Sequence, residues 1–342
     1  MPDPDKHLPK ATRLEDLAER AGVSISTVSR ALNDSPAVNR RTKEQIWELA
    51  RKLDYPFRRH MPAGPIGAEA TIAVVVPQPQ SRDDTGADPF FFQLLGGISA
   101  AARERDCDVL ISHISAKSYD DLASAMKTSR ADGVVFIGQS FLRSEFNQLA
   151  REYNRFVVWG AEFAEQDYCS VGSDNPAGGR RATSHLIRLG RQRIVFLGDT
   201  QAPEAAQRHR GYMQAHQRAG LALQDKLMIP AHFEVESAEA AMDSFLQSGT
   251  AFDGVVAASD LLAMGAIRSL LKAGRSVPGD VSVVGYDNIA FARLYRPALT
   301  TIAQDTNVAA RMLVSKLLDS RGQSSPSERI PTDLIVRETC GA

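Results

Sequence analysis

Several features that mark special classes of protein are scarce or missing in this chain of 342 residues. It contains three cysteines, and no two of them have the spacing of a metal site, which is typical of reduced cytoplasmic thiols. It has no run of about 18 apolar residues, the length that a membrane-spanning helix needs. Its first residues also lack the apolar core of a signal peptide. The sequence therefore predicts a cytoplasmic protein with no membrane partner.

Motifs of catalysis are missing as well. The chain has no phosphate-binding Gly-x-x-x-x-Gly-Lys, no dinucleotide-binding Gly-x-Gly-x-x-Gly and no Gly-x-Ser-x-Gly nucleophile turn. Its seven histidines are scattered, and His209 and His216 do not form a zinc-binding helix motif. We therefore predict a binding protein rather than an enzyme, with no cofactor and no metal.

The net charge of −1 gives little sign of an anionic partner, but the charge is unevenly distributed. Residues 1–60 contain 12 Lys and Arg against 9 Asp and Glu, whereas the remainder contains 28 against 32. A small basic segment on an acidic body fits a separate surface for an anionic polymer. Ordinary fluctuation explains the same difference equally well.

The first 53 residues read as three short helices. Thr12 and Glu15 form a capping box that opens the first helix, and Gly22 ends it. Ser24 is placed to cap a second helix through Leu32, and Thr42 a third helix through Leu53. Two short helices joined by Ala-Gly-Val and supported by a third predict a helix-turn-helix unit.

The exposed face of the second helix favours contact with DNA. It presents Ile25, Ser26, Ser29 and Arg30, with no acidic side chain that phosphate would repel. A helix of this length fits a major groove. A purely structural three-helix cap is the alternative.

The segment from Ala18 to Asn33, followed by Val38, Thr42 and Tyr55, resembles the DNA-binding head of the lactose-repressor (LacI) family. The resemblance implies a helix-turn-helix head over residues 1–56 whose partner is double-stranded operator DNA. It implies that Ile25 and Ser26 read base edges and that Arg30 also reaches a base. The side chains that it implies for phosphate contacts are those of Ser24, Thr27, Ser29 and Asn33.

The linker over residues 57–70 departs from the family pattern. The usual hinge helix inserts a leucine wedge into the minor groove. Here Pro56, Pro62 and Pro65 disfavour a helix, and Gly64 stands at the wedge position. Met61 is a substitute wedge, and Arg58 and Arg59 are either phosphate contacts or a solvated linker. Whether this linker bends DNA stays open.

From Thr71 onward, short β-branched runs alternate with helical stretches. Continuous apolar strands between helices indicate parallel sheets that are buried on both faces. The strands are too many for one open sheet, so we predict two doubly wound lobes. The runs begin at residues 71, 109, 133, 156, 169, 193, 253 and 281.

This body resembles the effector module of the same family, which is similar to periplasmic sugar-binding proteins. The sequence marks are Asp88-Pro-Phe-Phe-Phe-Gln, Asp174-Asn175, Arg208-x-x-Gly-Tyr212, Ser259-Asp260, Val284-Gly-Tyr-Asp287 and Leu299-Thr-Thr-Ile. The resemblance implies an N-lobe of residues 71–190 with 303–321 and a C-lobe of residues 191–302 with 322–342. The chain then crosses between the lobes near residues 190, 302 and 322, and an effector binds in the cleft.

The resemblance places six side chains in the cleft, and position alone suggests a seventh, Trp159. Aromatic rings pack on a sugar face, Arg208 binds hydroxyls or a carboxylate, and Asp260 binds vicinal hydroxyls by charge-assisted hydrogen bonds. The seven candidates are Phe90, Phe91, Gln139, Trp159, Asp174, Arg208 and Asp260.

Structural roles are the alternatives for most of these side chains. Phe91, Phe92 and Trp159 are also candidates for the core, Asp174 for a helix cap, Gln139 for a loop amide and Asp287 for a turn.

The resemblance implies a homodimeric regulator that responds to a small sugar. The phrases Ile137-Gly-Gln139 and Val158-Trp-Gly160 look most like the branch that responds to cellobiose and other glucosides, although a purine or amino-acid effector is not excluded. We expect a repressor, with an activator or a sugar-binding transport protein as alternatives. The dimer face is expected near residues 90–104 and 117–128.

Overall fold

The computed structural model describes residues 14–32, 37–53, 70–76, 88–113, 116–128, 131–138, 141–319 and 325–342. The helices of the N-terminal head are α1 (Leu14–Ala21), α2 (Ile25–Leu32) and α3 (Arg40–Lys52). Leu17, Val28 and Ile46 meet in a small buried core. Gly22 has a φ of +65°, the left-handed conformation predicted for the end of α1.

Two helix starts in the head can be compared with their predicted caps. The backbone N–H of Thr27 donates to Ser24 Oγ at 3.1 Å, which confirms Ser24 as the cap of α2. The cap of α3 was wrongly predicted, because Thr42 donates its own N–H to Asn39 Oδ1 at 2.9 Å. Asn39 caps α3, and the capping-box residue Thr12 lies outside the described residues.

The N-lobe contains a six-stranded parallel sheet covered by helices. Its strands are β1 (Thr71–Val76), β2 (Asp108–His113), β3 (Gly133–Ile137), β4 (Phe156–Trp159), β5 (Ser170–Ser173) and β11 (Glu328–Ile330). Its helices are α4 (Pro89–Arg103), α5 (Tyr119–Thr128), α6 (Arg143–Ala150) and α11 (Thr306–Asp319). The spatial order is β11-β5-β4-β3-β1-β2. The apolar runs of β1 and β3 are almost wholly buried, as parallel strands require.

The C-lobe repeats this plan. Its strands are β6 (Ile194–Leu197), β7 (Met228–Ile229), β8 (Gly254–Ala257), β9 (Ser282–Asp287), β10 (Thr300–Gln304) and β12 (Thr332–Ile335). Its helices are α7 (Asn175–Arg188), α8 (Pro203–Ala219), α9 (Val235–Gln247) and α10 (Asp260–Lys272). The order is β12-β10-β9-β8-β6-β7, and only the β10–β12 pair is antiparallel within the described strands.

The first lobe crossing differs from its predicted position near residue 190. Helix α7 packs on α8 and on the second sheet, so the chain crosses at Asp174. The two helices approach so closely that a Cβ at Gly179 would overlap the backbone carbonyl of Arg208, and a Cβ at Gly211 would overlap that of Pro176. The apolar stripe of α7 is buried against the C-lobe, and α7 belongs to that lobe.

The other two crossings lie at Asp305 and Pro331. The Asp305 crossing follows β10 and is close to the expected residue 302. The third was expected near residue 322, but β11 pairs with β5 in the register Glu328↔Val171 and remains in the N-lobe. Among the described residues, the lobes are therefore those within 70–173 and 306–330 and those within 175–304 and 332–342. Within the described ranges, no helix has the length and apolar character needed to span a bilayer.

Candidate functional site

Arg208, on α8, lies at the centre of a buried polar cluster near the carboxyl ends of the C-lobe strands. Its Nε donates to Asn175 Oδ1 at 2.9 Å, and its Nη1 donates to the carbonyl of Ala258. Its Cζ is 3.8 Å from the ring centroid of Tyr286. Only 5% of Arg208 is exposed, so its guanidinium is held in one position. Arg208 thus lies in a buried cluster beyond the strand ends, and its contact with an effector stays a prediction.

The acid that pairs with Arg208 is Asp287, at the end of β9. Asp287 Oδ1 lies 3.6 Å from Arg208 Nη1 and accepts a hydrogen bond from Gln304 Nε2 at 2.6 Å. Burial raises the pKa of Asp287 well above its usual value, while the charge of Arg208 opposes that rise. Sequence reasoning treated Asp287 as a turn residue. Its position at the end of a strand was the signal for a site residue.

Asp260 has a different role from the predicted one. It is fully buried at the start of α10, and its oxygens accept from the hydroxyl of Thr301 and from the backbone N–H of Ile289 at 2.9 Å. Burial raises the pKa of Asp260 to about 7. None of Asp260 is exposed and each of its oxygens accepts a hydrogen bond from this chain, which corrects the expectation that Asp260 is presented to a ligand. It fixes the turn that follows Asp287.

The N-lobe presents Asp88 and aromatic rings at the start of α4. Asp88 caps the helix by accepting the N–H of Phe90 at 2.9 Å. Burial raises the pKa of Asp88, while the hydrogen bond from Phe90 and the charge of Arg208 oppose that rise. Asp88 is a second acid that sequence reasoning did not single out as a site residue, although it opens the Asp-Pro-Phe-Phe motif.

The predicted aromatic residues divide into buried and exposed members. Phe90 is buried, with its ring centroid 5.8 Å from that of Trp159 and 6.0 Å from that of Phe91. Trp159 is also buried in the core, which fits its structural alternative. Phe91 is half-buried. The interpretation of Phe92 as core is wrong, because 60% of its surface is exposed on the outer face of α4.

Two more predicted effector residues have different outcomes. Asp174 caps α7 by accepting the N–H of Ala177 at 3.0 Å, which confirms the cap alternative. Gln139 lies outside the described residues, and its role stays a prediction. In the part of the chain that the structure describes, no group of three or more His, Cys, Asp or Glu could hold a metal ion.

The predicted DNA-reading side chains lie along α2. Ser24, Ile25, Ser26 and Arg30 are exposed, whereas Thr27 and Ser29 are half-buried. Ser24 Oγ lies 2.9 Å from Ser26 Oγ, so these two hydroxyls form a local pair. The first turn of α2 carries no acidic residue. Asn33 lies outside the described residues and stays a prediction.

The structure defines a class of protein: a two-lobed binding body that carries a helix-turn-helix head. The sequence profile "Bacterial regulatory proteins, lacI family" matches residues 13–56, and "Periplasmic binding protein-like domain" matches residues 183–340. The HTH-type transcriptional regulator RegA of Clostridium saccharobutylicum is 32% identical, over 96% of this chain and 99% of its own length. The HTH-type transcriptional regulator CelR of Thermobifida fusca is also 32% identical, over 95% of this chain and 97% of its own length.

Among solved structures, a transcriptional regulator CelR–cellobiose complex is similar, with a TM-score of 0.70 and 29% identity. It covers 96% of this chain and all of its own. This chain belongs to the LacI family of bacterial regulatory proteins. The predicted family and fold class are thereby confirmed.

Proposed function

We propose that this chain is a cytoplasmic transcriptional repressor that binds operator DNA as a homodimer and responds to a neutral glucoside such as cellobiose. The observation that carries the proposal is the buried Arg208–Asp287 pair beyond the strand ends, in a chain whose α2 exposes Arg30 and no acid in its first turn. The similar CelR–cellobiose complex supports the choice of sugar.

The charges of the cleft support a neutral polyol over an anion. Arg208 is the cation of the cluster: Asp287 lies 3.6 Å from it, and the charge of Arg208 opposes the rise in the pKa of both Asp287 and Asp88. A phosphate or carboxylate ligand would compete with these acids for one guanidinium. Hydroxyl groups can instead donate to a carboxylate and accept from the guanidinium, and such charge-assisted hydrogen bonds are the stronger kind.

The DNA role rests on the geometry of α2. Its N-terminus is capped by Ser24, and its exposed side chains are small or cationic. Such a helix can enter a major groove, where Arg30 is suited to a bidentate contact with guanine. A dimer would place two such heads on two half-sites of a near-palindrome.

Exposed apolar side chains on the N-lobe support a homodimer. Phe92 on α4 is exposed, and so are Leu110 and Ile111 on the edge strand β2. An uncovered apolar edge strand favours association with another chain. The face proposed for the dimer is near residues 90–104 and 117–128. Sedimentation of Phe92→Asp against wild type tests it, and an unchanged dimer would reject Phe92 as a contact.

A thermal-shift assay on the full chain tests the effector. Cellobiose should raise the melting temperature, because a ligand that binds the folded state stabilises it. Cellobionic acid, which carries a carboxylate, should not. Arg208→Lys keeps the charge but loses the planar fork, so it should abolish the shift. Arg210→Ala, exposed on the same helix, is the matched control and should retain it.

A DNA-binding assay tests the regulator itself. Selection from a random duplex library should enrich a near-palindrome, and cellobiose should change the affinity for it. A reporter under that operator should rise in expression when the gene is removed. Failure to enrich any sequence, with or without sugar, would reject the proposal.

A further inference from the structure

Polar contacts connect Arg208 of the C-lobe to the N-lobe along two separate paths. On one side, the backbone carbonyl of Glu162 accepts from Gln207 Nε2 at 2.9 Å. Gln207 Oε1 accepts from Asn175 Nδ2 at 3.2 Å. Asn175 Oδ1 accepts from Arg208 Nε at 2.9 Å. Three contacts thus connect the loop after β4, in the N-lobe, to the arginine of the C-lobe.

The remaining contacts lead from Arg208 back to the N-lobe. Together with the first three they form a closed path of contacts between the lobes, which we call the circuit. Arg208 lies 3.6 Å from Asp287, which accepts from Gln304 Nε2 at 2.6 Å. Gln304 Oε1 accepts from Ser173 Oγ at 2.5 Å, and Ser173 is the last residue of β5 in the N-lobe. The side chains of Ser173, Asn175, Gln207, Arg208, Asp287 and Gln304 are all buried. Unpaired polar groups at such positions would be costly, so the circuit favours one relative position of the lobes.

Within this circuit, Gln207 connects Asn175, which accepts from Arg208, to the carbonyl of Glu162 in the N-lobe. One turn earlier on α8, Glu204 Oε1 accepts the backbone N–H of Ala161 at 3.1 Å. Two positions on one face of α8 therefore hold the same loop. The amide of Gln207 uses its donor toward one lobe and its acceptor toward the other, and both are satisfied only while the loop is docked.

We propose that Gln207 is a positioning residue that couples occupancy of the cleft at Arg208 to the docking of the two lobes. The inference rests on the proposed function, since it concerns regulation of the same cleft. A ligand that changes the hydrogen bonds of Arg208 also changes the bond between Arg208 and Asn175. Asn175 donates to Gln207, so the bond from Gln207 on α8 to the loop at Glu162 changes as well. Allosteric coupling requires such a difference in contacts between two states.

Three variants separate this role from general stabilisation. Gln207→Glu keeps an acceptor for Asn175 but replaces the donor to Glu162 by a carboxylate, whereas Gln207→Leu removes both hydrogen bonds. Gln214→Leu is the matched control, because Gln214 lies on the exposed side of α8 and accepts only from Arg180 among its described contacts, at 3.0 Å. Should Q207E fail to fold, Gln207→Asn gives the same test, since its shorter side chain cannot span both partners.

The first measurement needs no ligand. Hydrogen exchange of the Ala161 amide should be at least about threefold faster in Q207E and Q207L than in wild type, because looser docking exposes this N–H. Q214L should match wild type. Unchanged exchange in both Gln207 variants would overturn the inference, and so would a change in Q207L alone, since that would indicate a role limited to supporting Asn175.

The second measurement uses the full chain, a duplex selected by the wild type, and saturating cellobiose. The wild-type ratio of operator Kd with and without sugar should be about 5 or more, as is typical of allosteric coupling. The ratio should fall toward 1 in both Gln207 variants but not in Q214L. An intact ratio in the variants overturns the inference. A wild-type ratio of 1 would instead count against the proposed function, and the exchange measurement would still decide the role of Gln207.

Discussion

Asp260 and Ile289 are joined by a hydrogen bond of 2.9 Å, which the backbone N–H of Ile289 donates to the carboxylate of Asp260. The start of α10 thereby fixes the turn that follows β9. Asp287 precedes this turn with a φ of +112°, a conformation that L side chains rarely adopt. The bond therefore helps to hold Asp287 beside Arg208.

The raised pKa of Asp260 predicts a pH dependence of stability. Burial raises it from 3.8 to about 7, so the folded protein keeps a proton that the unfolded chain releases. The contribution of this group is complete below about pH 4 and is lost as the pH rises through about 7. We expect the free energy of unfolding to fall across this window more steeply in wild type than in Asp260→Asn, which cannot ionise.

Urea unfolding at a series of pH values measures this difference. D260N should also be less stable by about 1–3 kcal/mol, because the amide nitrogen of Asn cannot accept a hydrogen bond at the position of the second oxygen of Asp260. Parallel pH profiles for the two proteins would contradict the assignment to Asp260.

The space around two helical glycines predicts opposite effects of their substitution by alanine: Gly179 lies at the contact between α7 and α8, and Gly96 lies in α4. Gly179→Ala should destabilise the chain by about 1–3 kcal/mol, because its Cβ would overlap the carbonyl of Arg208. Gly96→Ala, in α4, should stabilise by about 0.5–1 kcal/mol when both proteins carry Phe92→Asp, which disables the proposed dimer face, since no atom of this chain lies within 4 Å of its Cβ position. Thermal unfolding compares the two, and equal effects would show that α7 can move away from α8 without cost.

Arg30 should determine selective DNA binding. Arg30→Ala should lose about 1–3 kcal/mol on the selected operator, the value of one good bidentate base contact, and much less on random duplex. Its response to cellobiose in the thermal-shift assay should be unchanged, because the head and the cleft are separate sites. Equal losses on specific and random DNA would assign Arg30 to phosphate contact only.

Ile25 should favour an A·T pair at the position that it faces. It exposes 46% of an apolar surface near the start of α2, and apolar side chains in the major groove contact the thymine methyl group. Replacing that thymine by uracil removes only the methyl group and should weaken binding by about 0.8 kcal/mol, roughly fourfold. Ile25→Ala should bind both duplexes equally. A wild-type protein that is indifferent to uracil would refute this reading.

Much of the fold could be predicted because its long strands are runs of β-branched residues that bury both faces. The strands β7, β11 and β12 have no such run, being two to four residues long and at sheet edges. Their pairing depends on the neighbouring strand rather than on their own composition. Helix α7 buries Ala182 and Leu186, but apolar spacing alone does not say against which sheet a helix packs.

The candidate site was predicted in part for a related reason. Arg208 was predicted for the cleft and lies in the buried cluster, but the sequence assigned Asp260 to the ligand and Asp287 to a turn, although both follow strands. What separates them is direction: Asp260 points to a backbone N–H of its own lobe, and Asp287 points to Arg208. Sequence carries no signal for such a difference in orientation.

The order of strands along the chain constrains synthesis. Each lobe takes its final edge strand from residues 328–335, after all other strands have been made. A nascent chain on the ribosome therefore holds two unfinished sheets at once, each with an open edge. Cotranslational folding therefore cannot complete the N-lobe sheet until strands β6 to β10 of the C-lobe have been made, and the last strand of the C-lobe follows β11 almost at once.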